Sequence, residues 1–308
     1  MRKYVPERYH SMLTPKFEVA CKRRVIDREW YKGFNDPKIQ LTSQKLVEVG
    51  EDTVKLQGGG EFPDREDDPT GQTDVTLKAD AIILANGFET TRWFHPIKVI
   101  GKDGRNIRDV WEERGGPQAY MCSAVDSFPN FFMICGPNAF TGHQSVILAT
   151  ENMVNYTIKF VREILTGNAT TIEVKKSAEI AWAQRTQADL KHRVFHVGGC
   201  TSWYFDAKTG WNSTMYPRSQ IDHTLRCWFP TWSDWNIQLT TKGLIRKRVG
   251  QLIRAVSIGL LLVATYRLRQ SGIKLKHLPT ILKMSVKMGA MSMLGSIAAK
   301  AEEWQELL

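Results

Sequence analysis

Three clusters in this chain combine residue types and spacings from which chemistry could be built. The first is the basic run Lys22-Arg23-Arg24. A guanidinium keeps its charge at physiological pH, so it can stabilise an anion without supplying an acidic proton. The plain alternative is a solvated basic patch. The second is Asn86-Gly87, at the corner closing the apolar run from Ala81 to Ala85, where glycine allows a sharp turn or a close approach. The third runs from Gly136-Pro137-Asn138 to His143-Gln144-Ser145-Val146. Its pattern of strand, glycine turn and helix gathers free backbone N–H groups that attract anionic or electron-rich ligand atoms. A surface connection with no ligand is the competing reading. Trp203 opens a stretch of aromatic residues reaching Trp235, which suits either a cover over a pocket or a plain core.

The elements needed to hold these clusters can be read from pattern. Asp80 to Phe88 is a continuous apolar run ending in a turn, which predicts a strand buried on both faces. Phe131 to Cys135 predicts a second such strand. Leu46 to Val49 and Thr53 to Leu56 flank Gly50-Glu51-Asp52 and predict a hairpin. Gly58 to Thr73, rich in Gly, Pro and Asp, predicts a surface loop. Apolar residues at helical spacing predict a helix from near Ser145 to Leu165, stopped by Gly167-Asn168. A further strand and helix are expected over residues 172–194.

The totals exclude several classes. A length of 308 residues allows about two domains. The five cysteines are odd in number, scattered and never in a CxxC pair, so neither a disulfide framework nor a metal site is expected. A reduced, intracellular setting fits that usage, and the N-terminus has no apolar leader run. The net charge of +10 is carried by the tail: twelve Lys or Arg and no acidic residue fall within 235–301, against 30 basic and 29 acidic residues in 1–234. Those tail cations sit among Leu and Met rather than base-stacking aromatics, so no nucleic-acid partner is expected. The tail's apolar block, Ala255 to Tyr266, is twelve residues, short of the roughly 18 to 20 that span a bilayer. Its mixture of basic and apolar residues predicts either peripheral contact with a membrane surface over residues 242–300 or helices docked on the body or on a partner.

Four segments, in order, resemble the C-terminal half of the Baeyer–Villiger monooxygenases, a family of class B flavoprotein monooxygenases. They are Leu13-Thr14-Pro15-Lys16-Phe17 to Cys21-Lys22-Arg23 with Asp27 and Tyr31; Asp80 to Phe88; Phe128-Pro129-Asn130 through Gly136-Pro137-Asn138 to Ser145; and Cys200-Thr201-Ser202-Trp203-Tyr204. The resemblance covers about residues 1 to 230. It implies an α/β fold containing parts of two Rossmann-like nucleotide-binding domains and a helical C-terminal tail. The expected division is 1–90 and 91–168 for the NADP- and FAD-binding parts, 169–241 for an aromatic-rich cover, and 242–308 for the tail.

The same resemblance implies FAD and NADPH as cofactors, and O2-dependent conversion of a ketone to an ester or lactone through a flavin C4a-peroxide. Arg23 would be the catalytic arginine, and Lys22 would meet the 2′-phosphate of NADPH. Asn86 and Gly87 would form the linker, with Asn86 standing where the family has Thr. The turn Gly136, Pro137, Asn138, His143, Gln144, Ser145 and Val146 would border the flavin, and Trp203 would close over the nicotinamide cofactor. No GxGxxG occurs in the 308 residues, where a complete member has two. A C-terminal fragment, or a relative without the front half, is therefore expected. An N- or S-oxygenating flavin monooxygenase and a non-catalytic subunit binding a partner or membrane stay open as alternatives, and the expected location is cytoplasmic.

Overall fold

In the computed structural model, residues 2–25, 27, 29–142, 145–206 and 208–270 are described. The chain divides into two compact units, Met1–Leu239 and Thr240–Leu308.

The first unit opens with two short helical turns, α1 (His10–Leu13) and α2 (Glu29–Gly33). Tyr9 and Phe34, with ring centroids 5.7 Å apart, bury a small core between them. The expected hairpin forms: β1 (Lys45–Val49) pairs antiparallel with β2 (Thr53–Gln57). A third strand not foreseen in the sequence, β3 (Val75–Lys78), adds to β2. Gly58 to Thr73 is irregular, as its composition requires, and Asp68 organises it by accepting from the N–H and hydroxyl of Thr73, each at 2.7 Å.

The strand expected over Asp80 to Phe88 does not form. The segment has no ladder, and its side chains face outward, with Ile83 92% and Phe88 95% exposed. A strand buried on both faces needs paired neighbours and covering layers, and the described residues supply none. Phe131 to Cys135 likewise lacks a ladder, although Met133 is buried and Phe132 stacks on Phe160 at 5.9 Å. That apolar run fills the core as irregular chain.

The main core is built by helices and one two-stranded sheet. Helix α3 (Ile107–Glu113) is capped by Asn106 and buries Trp111. Helix α4 (Val146–Leu165) starts at its Ser145 cap and runs to the expected end. Strand β4 (Ala169–Val174) pairs antiparallel with β5 (Trp235–Leu239), and α5 (Lys176–Leu190) follows β4. A short turn, α6 (Val194–Val197), precedes the aromatic region, and α7 (Gln220–Trp228), capped by Ser219, packs against α4. Lys159 on α4 donates to the carbonyls of Cys227 and Trp228 at 2.8 and 2.6 Å. A cation there meets the unpaired carbonyls that end α7. The aromatic stretch divides: Tyr204, Tyr216 and Trp235 are core, whereas Trp203, Trp228 and Phe229 are exposed.

His223 on α7 is fully buried, edge-on to Tyr216 at 5.2 Å. Burial pushes its imidazole down to about 4, partly offset by the Asp222 carboxylate. The unfolded chain binds that proton near pH 6.5, so stability is complete above that pH and declines as the pH falls toward 4. The expected slope from this one proton is about 1.4 kcal/mol per pH unit. Urea titrations at several pH values should show it, and His223→Gln should flatten the curve within that window.

In the second unit, α8 (Thr241–Gln270) is one continuous helix. The twelve-residue apolar block is therefore part of a longer apolar length. From Val249 to Tyr266 the only charged residue is Arg254, and four consecutive apolar residues, Leu260 to Val263, cover every face. Thr241–Arg267 is the one helix among the described residues long and apolar enough to cross a membrane by length and composition. The Met-rich stretch Leu275 to Ala299 lies outside the described residues.

Candidate functional site

The candidate site collects where four connecting segments of the first unit meet. Arg23, exposed on the segment after α1, donates from Nη1 to the carbonyl of Gly142 at 2.5 Å. Gly142 has φ +80°, and a Cβ there would lie 3.0 Å from the Phe195 ring. A side chain is thus disfavoured by both backbone and neighbour. Thr90, just past the Asn86-Gly87 corner, donates from Oγ1 to the carbonyl of Trp203 at 3.3 Å. Trp203 is half exposed and packs edge-on against the buried Tyr204 at 4.8 Å. Tyr204 in turn sits in a small core with Leu190, Met215, Phe140 and Phe195. The basic segment, the loop before α4, the linker and the Trp203 loop therefore touch in pairs around one anchored aromatic.

The turn Gly136-Pro137-Asn138 is buried, and its chemistry is structural. A Cβ on Gly136 would fall 2.3 Å from the Cys122 carbonyl, so only glycine permits that approach. Asn138 takes a left-handed backbone (φ 62°), and its side-chain amide donates to the carbonyls of Asn212 and Met215 at 2.7 and 3.0 Å. Asn138 N–H and Phe140 N–H extend the same seam to Ser213 and Thr214. This stitching fixes the loop that carries Gly142.

Ser145 is the cap of α4, its Oγ accepting from Leu148 N–H at 3.2 Å. With that donor satisfied, Val146 and Ile147 hold the first-turn N–H groups that no described residue accepts. Both side chains are exposed. Lys22 is exposed with its ammonium 5.0 Å from the Phe17 ring centroid. Asn86 and Gly87 are exposed, Gly87 at φ +82°, and no hydrogen bond among the described residues joins them to Arg23 or Trp203. His143 and Gln144 lie outside the described residues.

One expectation is overturned here. Cys21 and Cys200 are joined as a disulfide, with their Cα atoms 6.1 Å apart. The two are separated by 179 positions, and scattered cysteines carry no pairing signal in sequence alone. Cys122 and Cys227 are free and buried, and Cys135 is free and half-buried.

No family model matches the chain. A Baeyer-Villiger monooxygenase of Streptomyces coelicolor is 32% identical over 208 residues, 67% of this chain and 37% of that protein. Cyclohexanone 1,2-monooxygenase of Acinetobacter sp. is 30% identical over 205 residues, 65% of this chain and 34% of that protein. Among solved structures, OTEMO in complex with FAD and NADP matches with a TM-score of 0.62 at 21% identity, covering 77% of this chain and 42% of that one. The chain spans little more than a third of the length of these curated relatives. The structural likeness shows a shared mixed helix-and-strand fold over 77% of the chain.

Proposed function

We propose, on the premise that about two thirds of this chain is related to the C-terminal portion of the Baeyer–Villiger monooxygenases, that it carries part of the active site of an FAD- and NADPH-dependent monooxygenase. The reaction is insertion of one oxygen atom of O2 into a ketone, giving an ester or lactone, with the second atom leaving as water. The observation that carries this reading is the contact between Arg23 and the Gly142 carbonyl. It puts a permanent cation beside the loop that leads into the start of α4.

The residues fit the two cofactors. Lys22 and Arg23 are both exposed cations on one segment, and the first turn of α4 holds N–H groups that no described residue accepts. When bound, FAD and NADPH supply the electrons and the ring at which O2 is activated. Lys22 holds the 2′-phosphate of the nicotinamide nucleotide. Arg23 stabilises negative charge on the transferred oxygen and, being unable to release a proton, keeps that oxygen nucleophilic. Val146 N–H, at the α4 start capped by Ser145, would meet the flavin edge where negative charge develops on reduction; His143 and Gln144, assigned to the same turn from sequence, lie outside the described residues. The buried turn of Gly136, Pro137 and Asn138 holds that loop rigid. Trp203 covers the nicotinamide nucleotide, and Asn86-Gly87 links the two nucleotide-binding parts.

The test is to co-express the chain with a separate N-terminal half carrying the two GxGxxG fingerprints, titrate the pair with FAD and NADPH, then supply cyclohexanone and identify products by mass spectrometry. Ester formation is expected, and Arg23→Ala should reduce it by about 10²-fold or more. Cofactor binding with oxidation of sulfides or amines, and none of ketones, would replace this reading with N- or S-oxygenation. No affinity for either cofactor would overturn it.

A further inference from the structure

We propose that the Cys21–Cys200 disulfide is a reversible clamp that positions Lys22 and Arg23. Its bearing on nucleotide binding rests on the function proposed above; its mechanical part does not.

Cys21 precedes the two cations directly, and Cys200 lies three residues before Trp203. The cross-link therefore ties the basic segment to the loop bearing the exposed tryptophan. Among the hydrogen bonds beside it are Glu18 N–H to the Gly198 carbonyl at 2.9 Å and Arg23 to the Gly142 carbonyl. Little burial supports the basic segment otherwise. Val19 is 79% and Val25 85% exposed, and Lys22, Arg23 and Arg24 all face solvent. A segment with so few buried contacts belongs to the low-stability part of a fold, where a single covalent tie dominates local order.

The two sulfurs differ in access. Cys21 is fully buried, whereas Cys200 is only partly buried and follows the exposed Gly199. Reduction by a small anionic thiol of the glutathione class thus begins at Cys200. The incoming thiolate bonds to the Cys200 sulfur, the S–S bond breaks, and the Cys21 thiolate leaves and takes up a proton. A second small thiol then attacks the mixed disulfide, freeing the Cys200 thiol. Two electrons and two protons pass to the protein, and one small-molecule disulfide forms.

The experiment equilibrates the full chain in buffers of fixed glutathione to glutathione-disulfide ratio. The state of Cys21 and Cys200 is trapped by alkylation, and the chain is digested briefly with trypsin. Cleavage after Lys22, Arg23 and Arg24 should rise about tenfold or more on reduction, while cleavage after Lys45 and Lys55 in the hairpin stays constant. Cys200→Ser should cleave at the fast rate at every ratio. Redox-independent cleavage at Lys22–Arg24, or an equal rise at the hairpin sites, overturns the clamp. In parallel, NADP+ affinity is measured by equilibrium dialysis, and tighter binding by the oxidised form is expected. Redox-dependent cleavage with no NADP+ affinity in either state keeps the clamp and removes the assignment of Lys22 and Arg23 to the nucleotide.

Discussion

Arg114→Met should lower the unfolding free energy of the first unit by about 3–5 kcal/mol, because it strands a buried charge. Arg114 Nη1 pairs with Asp126 Oδ1 at 2.6 Å and with Glu179 Oε1 at 2.9 Å. Glu179, fully buried, also accepts from Gln118 Nε2 at 3.1 Å and from Asp126 N–H at 2.6 Å. Burial and the facing Asp126 carboxyl push Glu179 up to about 8, and the Arg114 guanidinium draws Asp126 below its ordinary value against the opposing effect of burial. Arg114 is thus the counter-charge that two buried carboxyls share, and Glu179 holds its proton more tightly than Asp126 does. Removing the guanidinium leaves the Asp126 carboxylate without its counter-charge. Urea denaturation at pH 7 should show a lower midpoint with an unchanged slope. A loss below about 1 kcal/mol would mean that solvent reaches the pair and the cluster is not a buried one. Replacing all three charged residues by apolar ones of similar volume should cost much less than the single change, since no charge is then stranded.

Phe160→Ala should cost a comparable amount, about 3–5 kcal/mol, through cavity formation. Phe160 is fully buried, and its ring lies 4.2 Å from Trp235, 4.8 Å from Trp232, 4.9 Å from Tyr156 and 5.9 Å from Phe132, centroid to centroid. These rings join α4, β5 and the irregular run Phe131 to Cys135, so one truncation loosens three pieces of chain at once. Thermal unfolding followed by near-ultraviolet circular dichroism should shift down by about 10 °C with loss of aromatic signal. Phe160→Leu, which fills most of the volume, should recover much of the loss. An unchanged midpoint for the alanine variant would show that the neighbouring rings collapse into the space.

The features legible in the sequence were those carried by local pattern. The helix start near Ser145, the apolar spacing to Leu165 and the Gly167-Asn168 stop each act within a few residues, and α4 has those bounds. The hairpin of β1 and β2 was legible for the same reason. Features that depend on distant partners were not. Asp80 to Phe88 has the composition of a buried strand, but burial belongs to the neighbours, and its described surroundings provide none. Asn138 reads as a polar turn residue facing a ligand, yet its amide joins carbonyls 74 and 77 positions away. The pairing of Cys21 with Cys200 had no local trace at all. At the site, the motif order brought Arg23 and Trp203 to attention, while their anchors at Gly142 and Thr90 emerged only from the folded chain.

The uncovered run from Ile82 to Phe88 also governs how this chain behaves in the test tube. Ile83, Leu84 and Phe88 are 92%, 75% and 95% exposed on a segment that has no strand partner among the described residues. Such an edge recruits its own kind, so turbidity on concentrating the sample should scale with protein concentration rather than with ionic strength. A lysine in place of Ile83 or Leu84 would act as a gatekeeper and extend the working range of every assay described above.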